Sequence, residues 1–275
     1  MSIRIGTSTA SMDAQTALLR TQREAERTVK NLASGSRLAD PSADVASLAI
    51  SEKMGSEIRS LGAAQLNADS AVGFVSVAEG SLAEQTNILT RMRELSIQAA
   101  SDTFTDVERG FMNKEFVQLR DELDRIAKTT QYGDQKLLNG SSKEYEFQVG
   151  SSKDENSRIT FSSEADTTAS GLSLKGLSIS DRGDARDSLQ DIDEAMKSIS
   201  GVRAQFGATQ TRLESASNNL QVNIENLSAA RSTLADADVA KEISNLRRNQ
   251  VLQQYQTAVL RQANDSTGLV LNLIG

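Results

Sequence analysis

Seven apolar residues, Ile192, Ile199, Phe206, Leu213, Leu220, Leu227 and Leu234, stand seven positions apart. Leu189, Met196 and Ile224 fill part of a second seam at three- and four-residue spacing. That pattern predicts a long helix in a coiled coil. At 1.5 Å per residue, a helix of about 50 residues runs about 75 Å. A second series, Met54, Leu61, Ala68, Val75, Leu82 and Leu89, has the same step, with Ile58 and Val72 beside it. Gln65, Glu79 and Thr86 dilute its companion seam, and Gly55, Gly62, Gly73 and Gly80 fall inside it. Each glycine weakens a helix by roughly 1 kcal/mol against Ala. Tertiary contacts must offset that cost, or the glycines admit a neighbouring helix closely. A third, shorter series is Met112, Phe116, Leu119, Leu123 and Ile126. The three stripes are not stable alone and must meet one another.

Between these helices the texture changes. Residues 139–181 are rich in Ser, Gly, Thr and Asp, and within them "EYEFQVG" and "SRITFSS" alternate polar and apolar positions. They predict two short strands in a hairpin, joined by a link too long for a two-residue turn. A lone hairpin is marginal, so it should pack against the helices.

The two ends are weaker. Residues 8–33 predict a helix with Leu18, Ala25, Val29 and Leu32 on one stripe, interrupted by Gln15, Gln22 and Thr28. Residues 236–265 predict another, with Val239, Ile243 and Leu246 in phase and Leu252, Tyr255 and Val259 following after a six-residue step. Asp236 or Asp238 caps its start. Both stripes are too sparse for a self-sufficient bundle and call for partners: each other, or other copies. The last stretch contrasts with them, because Leu269, Val270, Leu271, Leu273 and Ile274 are all apolar. An exposed greasy end invites aggregation, so something should cover it.

Composition narrows the function. The 275 residues are 38% hydrophobic and 4% aromatic, with no Trp and one Pro. So few aromatics argue against a large globular core, and so little proline lets helices run long. A net charge of −7 repels duplex nucleic acid unless basic residues cluster, and only short pairs such as Arg247 and Arg248 occur. There is no Cys or His, which excludes disulfides, zinc-finger sites, a thiolate nucleophile and the commonest general base. The start, "MSIRIGTSTASMDAQ", lacks a cationic segment followed by an apolar one. No stretch approaches the roughly 20 apolar residues that span a bilayer. A secreted chain of this kind is expected to leave without a cleaved signal peptide.

Three local features have ordinary readings. In "NLASGSRLADPSADVASLAI" (31–50), Gly35 can end a helix, Pro41 stops any helix through Asp40, and Ser42 or Asp44 caps the next one. Alone, this is a helix–loop–helix connector. Asp102, Asp106, Glu108, Glu115, Asp121, Glu122 and Asp124 form an acidic stretch, but Arg109, Lys114, Arg120, Arg125 and Lys128 are interleaved. A solvated helix face with ion pairs fits this better than acid–base chemistry or a cation site. "NGS" (139–141), "NLS" (226–228) and "NDS" (264–266) match a glycosylation pattern too short to carry weight.

Several motifs taken together resemble bacterial flagellins. The run 31–50 resembles the N-terminal signature of that family, and "RMRELSIQAA" (91–100) and "DELDRIAKTTQYGDQKLLNG" (121–140) resemble its core-helix stretches. "FQVG" (147–150) sits where flagellins carry a similar strand. "DADVAKEISNLRRNQVLQQYQTAVLRQAN" (236–264) resembles the C-terminal signature. Asp44 stands alone where a pair is usual, Ser47 replaces a usual Gly, and Gly275 stands where Arg is frequent. No insertion long enough for the outer variable domains of the family is present, so the chain looks like a minimal flagellin.

The resemblance implies a mainly α fold. It is a long antiparallel helical bundle or coiled-coil rod with a short β-hairpin, whose terminal helices pair in an inner coiled coil. The expected parts are an inner helix and connector (1–47), a middle rod (48–235) with the hairpin region near 139–181, and a C-terminal inner helix (236–275). It implies a non-enzymatic subunit, without cofactor or metal, that polymerises with itself or with other flagellins into a filament for swimming. The filament core is expected to use Leu18, Val29, Leu32, Ile243, Leu246, Leu252, Val259, Leu269, Leu271 and Leu273. The apolar end would be covered there by neighbouring subunits and by the N-terminal helix. The family also implies an export chaperone on the C-terminal segment, the flagellar type III export apparatus and a filament cap, hence an extracellular location. It further implies recognition by a flagellin-sensing Toll-like receptor of animals, at positions matching Arg91, Leu95 and Glu115. A hook–filament junction protein shares the terminal helices and is the first alternative. A coiled-coil adaptor or signalling rod is the second.

Overall fold

The computed structural model describes residues 9–42, 44–141, 143–163 and 165–274; the side chains of 10, 143, 162, 163 and 266–274 lie outside that description. The chain is mainly helical, with α1 Thr9–Ser34, α2 Val45–Ala99, α3 Asp106–Thr129, α4 Arg182–Ala235 and α5 Val239–Ile274. Strands β1 Gln131–Tyr132, β2 Gln135–Lys136, β3 Lys143–Gln148 and β4 Arg158–Ser163 lie between α3 and α4. Two compact units form. One holds Met1–Ile58 and Glu225–Gly275, the other Arg59–Ile224, so α2 and α4 contribute to both.

In the second unit the sevenfold series become the core. Ala68, Val75, Leu82 and Leu89 of α2 and Ile192, Ile199, Phe206 and Leu213 of α4 are buried in one cluster. Phe116 and Leu123 of α3 join them, with Met112, Leu119 and Ile126 half-buried against it. Polar rungs show that α2 and α4 are antiparallel: Gln65 pairs with Gln221, Glu79 with Arg203, and Arg93 with Asp193. Gln85, fully buried on α2, donates to the carbonyls of Leu123 and Thr167, which ties α3 and the connector before α4 to the same core.

The glycines of α2 do not admit a helix. A side chain at Gly62 or Gly80 would meet open space, and a Cβ on Gly55 would stand at ordinary contact distance, 3.4 Å, from the Arg231 guanidinium. Buried stripes on both sides of these positions offset their propensity cost.

The hairpin forms where alternation placed it. β3 pairs antiparallel with β4, Tyr145 opposite Phe161 and Phe147 opposite Ile159. Alternate side chains share a face, and these four form the inner one. Phe74 of α2 meets Tyr145 and Phe147 edge-on, and Phe161 packs on Phe206 of α4. Helix contacts therefore supply what a two-stranded ribbon lacks. A second, two-residue hairpin, β1/β2, closes around Gly133 and Asp134.

The connector before α4 is pinned by a close approach. Asp166 accepts from the Thr168 backbone N–H and hydroxyl, and a Cβ on Gly171 would fall 2.3 Å from its Cγ. Only glycine fits there.

Candidate functional site

The first unit is built on the pairing of α1 with α5. Its connector works as the residues of 31–50 dictate. Gly35, at φ +66°, ends α1 in the left-handed conformation. The Asp44 carboxylate accepts from the Ser47 N–H, three residues on, and so caps α2. Asp40 bonds the backbone N–H and the hydroxyl of Ser42. These contacts hold the Asp40 and Asp44 carboxyls below their ordinary range, through the hydrogen bonds from Ser42 and Ser47.

The connector also closes on the start of α5. Ser36 bridges Asp236, and the Ala237 N–H donates to the Gly35 carbonyl at 2.9 Å. The Arg37 N–H donates to the Ala235 carbonyl, and its guanidinium donates twice to that of Leu234, at 3.1 and 2.8 Å. A cation thus meets the last carbonyls of α4, where the helix dipole is negative. Asp238 caps α5, accepting from the N–H groups of Ala240 and Lys241, while Asp236 instead receives the Ser232 hydroxyl.

The interior of the α1/α5 pair is polar. α1 buries Ala14, Thr21, Ala25, Thr28 and Asn31, and α5 buries Asn249. Gln256 donates to the Thr21 hydroxyl oxygen at 3.0 Å, and Asn31 donates to the Glu242 carboxylate at 3.3 Å. Leu18 and Leu32 are half-buried on this inner face, as is Leu246.

Many other large apolar side chains of the pair are exposed. Met12, Leu19 and Val29 on α1 are exposed, as are Val239, Ile243, Leu252 and Val259 on α5. Val251 and Tyr255 are the barest of these on α5, 64% and 68% exposed. The pair departs from a soluble coiled coil: small and polar residues share the inside with half-buried leucines, and further aliphatic and aromatic residues stand exposed. Leu269, Leu271 and Leu273 lie on α5, with their side chains outside the described residues.

In the second unit, Arg91 donates to Glu115 from Nε and Nη2, at 3.0 and 2.8 Å, and to Glu94 at 3.0 Å. Leu95 is only 2% exposed and belongs to the core beneath them. The structure brings Arg91 and Glu115 together on the surface, and Leu95 presents no face there.

The acidic stretch is engaged throughout. Glu108 closes a capping box with Thr105 at the start of α3. Asp106 pairs with Arg109, Glu115 with Arg91, Asp121 with Arg120, Glu122 with Arg125, Asp124 with Lys128, and Asp102 with Arg182. Arg182 holds the Asp102 carboxyl below its usual range, and Arg125 and Lys128 do the same for Glu122 and Asp124. No three acidic residues converge as a metal would require, among the described residues.

Residues 5–143 match the bacterial flagellin N-terminal helical region, and residues 189–274 match the C-terminal helical region. The chain belongs to the bacterial flagellin family. A flagellin of Halalkalibacterium halodurans is 37% identical over 251 residues, 91% of this chain and 92% of that one. The flagellin FlaB1 of Treponema pallidum is 36% identical, covering 96% and 97% of the two chains. The crystal structure of Bacillus cereus flagellin aligns at 30% identity and TM-score 0.50, over 56% of this chain and 88% of that one. A flagellar hook-associated protein of Vibrio parahaemolyticus, 17% identical with TM-score 0.58 over 70% of this flagellin and 98% of its own chain, shares the fold. The role of this flagellin is structural, in the flagellar filament, and it is not an enzyme. Residues 144–188, between the two matched regions, hold most of the β3/β4 hairpin, the connector and the first turns of α4. No described helix is long and apolar enough to cross a membrane.

Proposed function

We propose that this flagellin polymerises through the outward apolar faces of α1 and α5, which adjoin other copies in the filament. The exposed apolar side chains of the terminal pair carry this reading. Val29, Ile243, Val251, Leu252, Tyr255 and Val259 stand in water in the single chain, at a cost that burial recovers. Fully burying one such side chain is worth roughly 1.5–3 kcal/mol. An open helical array uses unlike patches on each copy, and two different helices supply them. Leu18, Leu32 and Leu246 then hold the pair together while the exposed residues hold the copies together. On this reading residues 1–47 and 236–275 form the inner part of the filament, and 48–235 the middle.

Leu269, Leu271 and Leu273 join the filament core on this reading, and an export chaperone covers them until the type III apparatus delivers the chain to the filament cap. Relatives in Treponema maltophilum are named flagellar filament core proteins, which agrees with a place in the filament core, and the filament itself is extracellular on this reading. Arg91 and Glu115 form the part of the receptor surface that an animal Toll-like receptor reads, with Leu95 supporting them from below.

Hydroxyl-radical footprinting tests the central part. Met12 and Tyr255 are chemically reactive and exposed in the single chain. Both should be modified in free subunits and protected in filaments. Equal modification in both states overturns the proposal.

A further inference from the structure

Asn139 and Gly140 form the one Asn-Gly pair of the chain, in the "NGS" run after β2. Both lie in a strap of the second unit that is laced to the connector before α4. Asn139 bridges Asp166, and the Gly140 N–H donates to the Ala165 carbonyl at 3.1 Å. One residue earlier, the Leu138 carbonyl accepts from the Thr167 N–H at 3.0 Å and from its hydroxyl at 3.3 Å. Leu138 and Thr167 are buried, and Gln85 reaches the Thr167 carbonyl from α2.

The fold requires glycine at 140. Its φ is +72°, and a Cβ there would stand 2.8 Å from the Cβ and Cγ of Asp166. Glycine is also the residue whose own nitrogen attacks a preceding asparagine most freely, because no side chain shields it. Asn139 is exposed, and its Oδ1 accepts from the Ser141 N–H at 3.3 Å, which turns the carboxamide along the chain past the Gly140 peptide. A reactive pair thus stands, open to water, at a place where its glycine cannot be exchanged.

We infer that Asn139 is a deamidation site that the folded chain holds shut through the Gly140 amide. In the reaction, hydroxide removes the Gly140 amide proton and the nitrogen bonds to Asn139 Cγ. The Cγ–Nδ2 bond breaks, and Nδ2 leaves as ammonia with a proton from water. The five-membered succinimide then takes up water. Opening at Cγ gives aspartate. Opening at the main-chain carbonyl gives isoaspartate, with the chain rerouted through the side chain. In the folded subunit the Ala165 carbonyl holds the proton, and the bridge to Asp166 keeps the Asn139 main chain from turning to close the ring. Once the strap opens, both restraints go together. Isoaspartate adds a carbon to the main chain, so the bridge to Asp166 cannot re-form in register.

The test compares folded subunits with the same subunits unfolded in guanidinium chloride, at one mildly alkaline pH, by peptide mapping and mass spectrometry. Residue 139 should become aspartate and isoaspartate in the unfolded chain, and should convert at least about tenfold more slowly in the folded one. Hydrogen exchange at the Gly140 amide should be slowed by a similar factor, since both reactions need that proton freed by the same opening. Thr167→Val removes the hydroxyl bond to Leu138 and keeps the shape of the side chain. It should speed conversion about fivefold in folded subunits and leave the unfolded rate unchanged. Should that variant not fold, the parental comparison decides alone. No conversion in the unfolded chain means that Asn139 is not a site. Equal rates in the folded and unfolded chains, or an unchanged rate in folded Thr167→Val, mean that the strap does not guard it. Either result overturns the inference.

Discussion

Arg37 donates twice to the carbonyl oxygen of Leu234, and its backbone N–H donates to Ala235. The connector after α1 is thereby fastened to the end of α4, within the unit that also holds α5. Two residues distant in sequence close the frame from which the terminal helices project. Replacing Arg37 with Ala leaves the Leu234 carbonyl without these donors and removes the cation from the helix end. The expected cost is about 1–2 kcal/mol. Hydrogen exchange at the Ala237 amide, which bonds the Gly35 carbonyl, should speed up about tenfold. Arg37→Lys should recover only part, because an ammonium cannot reproduce the fork. An unchanged Ala237 rate in Arg37→Ala would show that the clasp is incidental.

Gly62 and Gly80 lie inside α2 with open space where a Cβ would stand. Alanine at each should stabilise the free subunit by roughly 0.5–1 kcal/mol, from helix propensity and a less flexible unfolded chain. Gly171→Ala should do the opposite, because its Cβ would collide with Asp166. Urea denaturation of the three single variants reads all three signs. Destabilisation by Gly62→Ala and Gly80→Ala would mean that a neighbouring group occupies that space in solution.

These outcomes bear on what the sequence made legible. Ile192 to Leu220 and Leu61 to Leu89 were readable because a sevenfold apolar period in a soluble chain has few explanations other than a buried helix seam. The hairpin was readable from alternation at Tyr145, Phe147, Ile159 and Phe161. The terminal pair was only half readable. A search for apolar stripes finds Leu18, Ala25 and Leu32, which do face inward, but places Val29 with them, and the structure turns it out. Thr21, Thr28, Asn31, Asn249 and Gln256 escape such a search altogether, because polar residues in a seam carry no hydrophobic signal. On α5 the stripe of Val239 and Ile243 was visible, but one sequence does not say whether an apolar stripe faces its own chain or another. Thr105 to Glu108 reads T-x-x-E, a capping-box pattern that the sequence carries in plain view. The β1/β2 hairpin is too short to leave a period.

Acid should loosen the subunit in a predictable window. Arg182 lowers the Asp102 carboxyl, Arg125 that of Glu122, Lys128 that of Asp124, and Arg93 that of Asp193, while the Thr105 N–H and hydroxyl lower Glu108. A carboxyl lowered in the folded state contributes stability above its unfolded pKa. That contribution is lost as pH falls through the folded value. The unfolded values lie near 4, so melting temperature should fall below about pH 4. The chain has no His, so it should stay level between about pH 5 and 8. A melting transition that drops sharply between pH 7 and 6 would contradict this account.

The central claim is that the outward apolar face of the terminal pair is an interface between copies. Val251, Tyr255 and Val259 are exposed on α5 and absent from the buried core. Changing all three to Ser should therefore leave the helical content of the free subunit at its parental level. Seeded elongation from preformed filament fragments should then slow by at least about tenfold, since each burial is worth roughly 1.5–3 kcal/mol. A triple variant of parental helicity that elongates seeds at the parental rate would show that this face stays in water in the filament, and the account would be wrong.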